Sequence, residues 1–258
     1  MSNETLTLGI INHRYANIHS VKKALKYVDC NYIELNDPSE FNKVSAIILP
    51  GVGAFDAAMK VLNNTGMSDA LLEANNRKTP IFGICLGMQL LFNKSEEGNE
   101  DGLGLIDGEV KKIKQINDLK IPHMGWNETY FPKKTSNFKN IKNKSFFYYV
   151  HSYECVPSNE NVITSYTYYG NKICSSIEYK NIFAKSEYGL RLPGFHYKNQ
   201  IWVGGPEIMI CIGIYGQAIY IDQKNKVVIV KLSSHPEPDD PLILGNTFLG
   251  IAALAENI

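Results

Sequence analysis

An α/β fold, a parallel or mixed sheet with helices on both faces, is what most of this 258-residue chain predicts. Three observations carry that expectation. Short apolar runs alternate with segments of helical periodicity as far as about Phe92. Two of the runs end in glycine-rich turns, Pro50–Gly53 and Gly83–Gly87. After Glu109 the pattern changes to short aromatic-rich strands joined by Asn- and Lys-rich connections.

Leu6–Asn12 reads as a buried strand. Ile18–Tyr27 follows as a helix, with Ile18, Val21, Leu25 and Val28 at helical spacing. Tyr32–Leu35 is the second strand, and Val44–Leu49 is a third apolar run that stops at Pro50-Gly51. Ala54–Leu62 and Met67–Asn75 have helical periods and lead into a strand at Ile81. A helix is then expected from Leu86 to about Phe92. In such sheets the active site forms where strands end at their carboxyl termini, so Pro50–Gly53 and Cys85 can meet in one crevice. Further strands are expected within Ser145–Tyr153 and Val162–Tyr169, and Lys133–Lys144 reads as a solvated loop. No internal repeat is evident.

Composition narrows the class of partner. Lys+Arg and Asp+Glu are equal at 26 each, so no overall charge draws the chain to nucleic acid or to an acidic membrane surface. The five cysteines form no C-x-x-C pair, and an odd number argues against a disulfide framework, which suits a reducing cytoplasm. No apolar run reaches the roughly 18 residues of a membrane span, and the polar start Met1–Thr5 leads us to expect a soluble, unprocessed chain. No motif asks for a cofactor or a metal. Small-molecule chemistry is the expectation.

That chemistry centres on residues 81–89, where an apolar strand enters Gly83-Ile84-Cys85-Leu86-Gly87 and then a helical pattern. This is a nucleophile elbow carrying cysteine. The glycines permit a tight turn where any side chain would strike the neighbouring strand or helix. Cys85 would project from the bend at the start of a helix, where free amides and the dipole favour a thiolate. An isolated cysteine between glycines is more often structural; the strand-turn-helix setting reverses that. Pro50-Gly51-Val52-Gly53 also follows a strand, and its backbone can turn N–H groups toward a ligand. An oxyanion hole needs two such donors: one from Val52 or Gly53, the other the Leu86 N–H just after the nucleophile.

These residues resemble a known family. PGVGAF at 50–55, GICLGMQLLF at 83–92, SEEG at 95–98, GLGLIDGEV at 102–110, IPHMGWN at 121–127 and FYYVHSY at 147–153 are similar, in order and spacing, to the glutamine amidotransferase subunits of imidazole glycerol phosphate synthases. The resemblance runs from about Leu6 to Ala184 and implies the class I amidotransferase fold. It implies that Cys85 attacks the side-chain amide of glutamine, leaving a glutamyl thioester that water hydrolyses to glutamate. Gly51, Gln89 and Glu97 would contact the glutamine. Ammonia would pass to a (β/α)8-barrel synthase subunit in a heterodimer, giving imidazole glycerol phosphate and an aminoimidazole ribotide. Asn17, His123, Met124, Gly125, Trp126, Asn127 and Tyr149 to His151 would lie at or near that interface. His123 and His151 are expected to be structural rather than basic.

A thiol nucleophile needs a base, and the base an orienting partner. The family supplies both in a Phe-His-Pro-Glu-Lys-Ser segment. Here Asn181–Ala184 matches the lead-in, but Tyr188 and Leu190 stand about where histidine and glutamate belong. The chain therefore divides into an amidotransferase-like domain, 1–184, and an atypical tail, 185–258. In the tail, Gly213–Gln217 is followed by Ala218–Asp222 and Lys226–Leu232, which read as an antiparallel hairpin turning at Gln223-Lys224-Asn225, and Leu242–Glu256 reads as a closing helix. This stretch resembles the C-terminal end of β-lactamase-related serine hydrolases of the 6-aminohexanoate-dimer hydrolase type, without their S-x-x-K motif. Ser234-His235-Pro236-Glu237 puts His-Pro-Glu directly after a strand. Either Tyr188–Leu232 is an insertion and His235 with Glu237 supplies base and orienter, or the match is coincidence with the tail's own strand and loop. His196 lacks a carboxylate two residues on.

Three functions follow: an active glutaminase using Cys85, His235 and Glu237, a catalytically impaired chimera that only binds its partner, or an amidotransferase for surface-sugar amination.

Overall fold

A computed structural model describes residues 7–116, 118–133 and 141–186 and, beyond them, the backbone of five strands between Phe195 and Lys231. The chain forms two compact units, residues 1–189 and 190–258.

In the first unit, β1 (Thr7–Ile11), α1 (Ile18–Tyr27), β2 (Asn31–Leu35), β3 (Ala46–Gly51), α2 (Phe55–Asn64), α3 (Met67–Asn76) and β4 (Ile81–Cys85) alternate as the sequence predicts. β1 pairs in parallel with β2 and β3, and β3 with β4. Successive residues of a strand face opposite sides of the sheet, so Ile10 and Ile48 pack against Val21 and Leu25 of α1. Ile11, Ile47 and Leu49 instead join Phe55, Met59 and Leu71 of α2 and α3. Both faces are thereby covered by helix. Val28, placed on the buried stripe of α1 by spacing alone, is 59% exposed. The helix has already ended at Tyr27, and Asp29 turns the chain away at φ +53°.

The remaining strands extend the sheet antiparallel. β7 (His123–Tyr130), β8 (Ser145–His151), β10 (Ile163–Tyr169), β11 (Asn171–Tyr179) and β12 (Ile182–Lys185) complete the order β2-β1-β3-β4-β12-β11-β10-β7-β8. β12 runs parallel to β4 and antiparallel to β11, joining the two halves. A smaller sheet holds β5 (Lys94–Ser95), β6 (Gly108–Lys112) and β9 (Tyr153–Pro157) in that order. The single run expected over Ser145–Tyr153 is thus two strands in two sheets. At Ser152, whose carbonyl accepts the Ile113 N–H, the chain passes from one to the other. Within the expected loop Lys133–Lys144, residues 134–140 lie outside the described set, and Lys142 to Lys144 are exposed.

In the second unit, β13 (Phe195–Lys198), β14 (Ile201–Gly204), β15 (Ile208–Ile212), β16 (Ala218–Asp222) and β17 (Val227–Lys231) form an antiparallel sheet in sequence order. β16 and β17 are the expected hairpin, with Asp222 opposite Val227. The predicted turn, the predicted helix 242–256 and the pair His235 and Glu237 lie outside the described residues. No helix among the described residues is long and apolar enough to cross a membrane.

Candidate active site

The bend at Cys85 has the conformation that the glycines foretell. Cys85 takes φ +56° and ψ −115°, a region that costs a residue with a side chain on the order of 1–3 kcal/mol. Two close approaches hold it there. A β-carbon on Gly83 would lie 2.8 Å from the Gly87 carbonyl oxygen, and one on Gly87 would lie 1.8 Å from the Leu49 carbonyl oxygen of β3. Both contacts are with backbone, so no rotamer relieves them.

The helix after the bend is shorter than the sequence predicts. α4 spans Leu86–Gln89 only. Leu91 and Phe92 donate to carbonyls three residues back, and the carbonyls of Leu90, Leu91 and Phe92 accept amides from Leu103 to Ile106. Those three-residue bonds tighten the last turn and end the α-helix at Gln89, while the loop takes the carbonyls beyond it. One turn leaves little cumulative dipole, so what α4 offers Cys85 is local: the amide hydrogens of its first turn.

Gly51 pairs with Cys85 across β3 and β4. A β-carbon on Gly51 would meet the Gly87 nitrogen at 2.7 Å, so the Pro50–Gly53 turn lies directly against the start of α4. Of the two oxyanion donors weighed in that turn, the Val52 N–H is already engaged, donating to the Tyr15 carbonyl at 2.8 Å. Gly53, at φ +89°, carries the other candidate N–H.

Gln89 and Glu97 are both half-buried. Glu97 also supports the fold, because its Oε2 accepts the Phe55 N–H at 2.8 Å and so caps α2, whose own N-cap, Ala54, has no side-chain acceptor. Asp56 reciprocates by accepting the amides of Asn99 and Glu100, each at 3.0 Å. The loop bearing Glu97 is thereby tied to the turn bearing Gly53.

The residues expected at a partner surface fall on β7 and β8, apart from Asn17, which caps α1 by accepting the Ser20 N–H. Cross-strand partners share a face, and His123 pairs with His151, Gly125 with Tyr149 and Asn127 with Phe147. On that face His123, Tyr149 and His151 are buried. Met124, Val150 and Phe146 on the opposite face are 48%, 38% and 59% exposed, and Trp126 lies among them. The histidines form a chain in which each ring has one assignable tautomer. His151 Nδ1–H donates to the Tyr153 carbonyl, leaving its Nε2 to accept from His123 Nδ1–H at 2.9 Å. Burial lowers both pKa values, that of His123 to about 3 with the neighbouring His151 adding to the effect. Buried and hydrogen-bonded to each other, they tie β7 to β8 and to the Tyr153 carbonyl.

The described part of the chain stops just short of the positions where the resemblance places a base and its orienter. β12 pairs in parallel with β4 up to Lys185 opposite Ile84, so the next residue, Ser186, comes level with Cys85. Ser186 donates both its N–H and its hydroxyl to the Ser175 carbonyl. Tyr188, Leu190, His235 and Glu237 lie outside the described residues.

Sequence reasoning missed His13. It lies 5% exposed beyond β1, and its Nε2–H donates to the Pro50 carbonyl at 2.7 Å. The signal that marks it lies in the strand order. The connections leave β1 toward β2 on one side while β3 and β4 lie on the other, and the loop after a strand at such a reversal borders the ligand crevice.

Comparison with known proteins agrees with this geometry. The family model for class-I glutamine amidotransferases matches residues 10–185, ending where the tail begins. The imidazole glycerol phosphate synthase subunit HisH of Moorella thermoacetica is 43% identical over 177 residues, which cover 68% of this chain and 83% of that protein. The HisH subunit of Pyrococcus furiosus is 42% identical, covering 68% of this chain and 87% of that one. Among solved structures, a glutamine amidotransferase superposes with TM-score 0.55 at 15% identity, covering 70% of this chain and 89% of its own. PurLQS from Thermotoga maritima superposes with TM-score 0.54 at 17% identity, covering 71% and 87%. The structural matches speak for the fold alone. Identity and coverage together show that the chain belongs to the class-I glutamine amidotransferase family, on the branch of the HisH subunits of imidazole glycerol phosphate synthase.

Proposed function

We propose that this chain is the cytoplasmic glutaminase subunit of an imidazole glycerol phosphate synthase in histidine biosynthesis, with Cys85 as its nucleophile. The observation that carries the reading is the backbone of Cys85, held at positive φ between two glycines that admit no β-carbon. The Cys85 sulfur adds to the carboxamide carbon of glutamine, and the oxygen takes the charge against the N–H groups of Leu86 and of Val52 or Gly53. Protonated nitrogen leaves as ammonia, and water then releases glutamate from the thioester and restores the thiol. Gly51, Gln89 and Glu97 hold the glutamine. His235, oriented by Glu237, serves as the base. Ammonia passes to a (β/α)8-barrel synthase subunit that docks on the surface of Asn17 and His123–Asn127, where Met124 offers exposed apolar area. Mass spectrometry of the protein treated with diazo-oxo-norleucine tests the nucleophile. An adduct at Cys85 is expected, and a folded protein without one ends the proposal.

One observation favours a second reading, a chain that binds its partner with catalysis impaired: Tyr188 and Leu190 stand where the resemblance places the base and its orienter. Loss of the base would slow turnover by about two to four orders of magnitude. Glutamine turnover beside the synthase subunit, with and without His235→Ala, separates the readings. If the acceptor is a surface sugar, ammonia released here will not support imidazole glycerol phosphate formation. The tail is proposed to derive from a β-lactamase-related hydrolase, on the support of its antiparallel hairpin.

A further inference from the structure

A cavity of about 460 Å³, at the small end of the range for ligand pockets, lies at the far end of β4 and β12 from Cys85. Its walls come from the end of α3 at Asn75, the loop Gly104 to Asp107 after α4, and the turn at Tyr179 and Lys180 between β11 and β12. The 3₁₀ turn Glu160–Val162 with its cap Asn159 closes the ring. β4 and β12 begin beside these walls, with Ile81 paired to Ile182, whereas Cys85 ends β4. Four strand steps, about 13 Å, separate the two places, so the cavity is no part of the glutamine crevice.

The walls are held in place by their own bonds. Gly104 N–H donates to the Phe92 carbonyl at 3.1 Å, Leu105 and Ile106 N–H each to the Leu91 carbonyl at 2.9 Å, and Ser158 N–H to the Asp107 carbonyl at 2.9 Å. Asn181 Nδ2 donates to the Thr79 carbonyl at 2.7 Å and to Asn75 Oδ1 at 3.2 Å. The same bonds decide what the wall side chains have left to offer. With Asn75 Oδ1 engaged, and Asn159 Oδ1 accepting the Asn161 N–H at 3.0 Å, each amide has its NH2 group remaining as donor.

We propose that this cavity binds a free α-amino acid with an apolar side chain. Asn75, Asn159 and Lys180 supply three donors, which suit an α-carboxylate, and Asp107 supplies a carboxylate for the α-ammonium. Among the described residues Asp107 and Lys180 form no ion pair with each other, so neither charge cancels the other before a ligand arrives. A simple anion would face Asp107 and a simple cation would face Lys180; a zwitterion answers both. Leu105, Val162 and the Tyr179 ring add apolar wall for the side chain, and Lys180 Nζ lies 4.8 Å from the centre of that ring, which sets the cation beside the apolar surface. Because the walls are already bonded in place, little ordering opposes binding. The proposal does not depend on the role of Cys85.

Amide NMR of the full chain titrated with L-leucine tests it. Signals of Gly104 to Asp107 and of Lys180 should shift and saturate with a Kd of about 1 mM or below, while those of Gly51 to Gly53 stay in place. Leucinamide, which lacks the carboxylate, and N-acetyl-leucine, which lacks the ammonium, should each bind about fivefold more weakly or worse, and inorganic phosphate should not displace leucine. Lys180→Gln and Asp107→Asn each remove one charge from an exposed side chain, which leaves the core intact, and each should weaken leucine by about fivefold. The absence of a saturable shift, shifts confined to Gly51 to Gly53, equal binding of the two blocked analogues, displacement by phosphate, or parental affinity in both variants overturns the proposal.

Discussion

The α-carbon of Gly87 faces the carbonyl oxygen of Leu49 so closely that a β-carbon built on it would lie 1.8 Å away. This contact seats the first turn of α4 on β3 and brings Cys85 level with Gly51. Replacing Gly87 by Ala must push a helix off a strand. It should lower the free energy of unfolding by about 3 kcal/mol or more, read from the urea midpoint. Gly104 is the control: it has φ +61° but open space where a β-carbon would go, so Gly104→Ala should cost only about 1 kcal/mol. Equal losses at both sites would refute the packing account of the elbow.

On the proposed reading, the backbone strain at Cys85 serves a reactive sulfur. Cys85→Gly should therefore raise stability by on the order of 1 kcal/mol while abolishing any glutamine-derived adduct. Thermal melting and intact-mass spectrometry read the two effects on one sample. A variant less stable than its parent would mean that the thiol contributes more to packing than the bend costs.

On the proposed reading, Glu97 joins capping of α2 and glutamine binding in one carboxylate. Glu97→Ala leaves the Phe55 amide without its acceptor and should cost about 1 kcal/mol. Glu97→Gln keeps an oxygen acceptor and should recover most of that stability. Glutamine affinity, followed by calorimetry on the Cys85→Ala background, should drop in both. Unchanged affinity in Glu97→Gln would confine Glu97 to capping.

Stability should fall with acid earlier than carboxylates alone require. His13, His123 and His151 all have folded-state pKa values below the ordinary 6.5, chiefly through burial, with His123 at about 3. The unfolded chain binds more protons than the folded one between those values and 6.5. Stability is therefore complete above about pH 6.5 and is lost as pH falls toward 3, at up to about 1.4 kcal/mol per pH unit for each group. Urea midpoints from pH 7 to pH 4 should trace that decline, and His123→Gln should flatten it. A variant with the parental slope would show that His123 does not titrate in the unfolding reaction.

The helices α1 to α3, the strands β1 to β4 and the bend at Cys85 were legible because each rests on local information: periodicity, chain-breaking glycines and a cysteine between them. The length of α4 was not. The helix ends where Leu91 and Phe92 donate three residues back, and amides from Leu103 to Ile106, more than ten residues on, take the carbonyls that follow, none of which the apolar period records. The break at Ser152 was hidden for a similar reason, since an aromatic run reads the same whether it lies in one sheet or crosses between two. The bond from the Val52 N–H to the Tyr15 carbonyl was hidden too, since it joins two loops far apart in the chain. His13 had no motif to mark it, and the reversal of strand order beside β1, which points to its loop, shows only in the folded sheet.

The position of β12 bears on how the domain is made. It is the last strand of the nine-stranded sheet to leave the ribosome, yet it belongs in the middle, between β4 and β11. Until Lys185 has emerged, the nascent domain is two half-sheets, each with a raw edge of unsatisfied amides and carbonyls open to any passing strand. Closure therefore waits on a segment about a hundred residues downstream of the elbow it sits beside, a late and long-range step that makes this protein a natural client for chaperones during its synthesis.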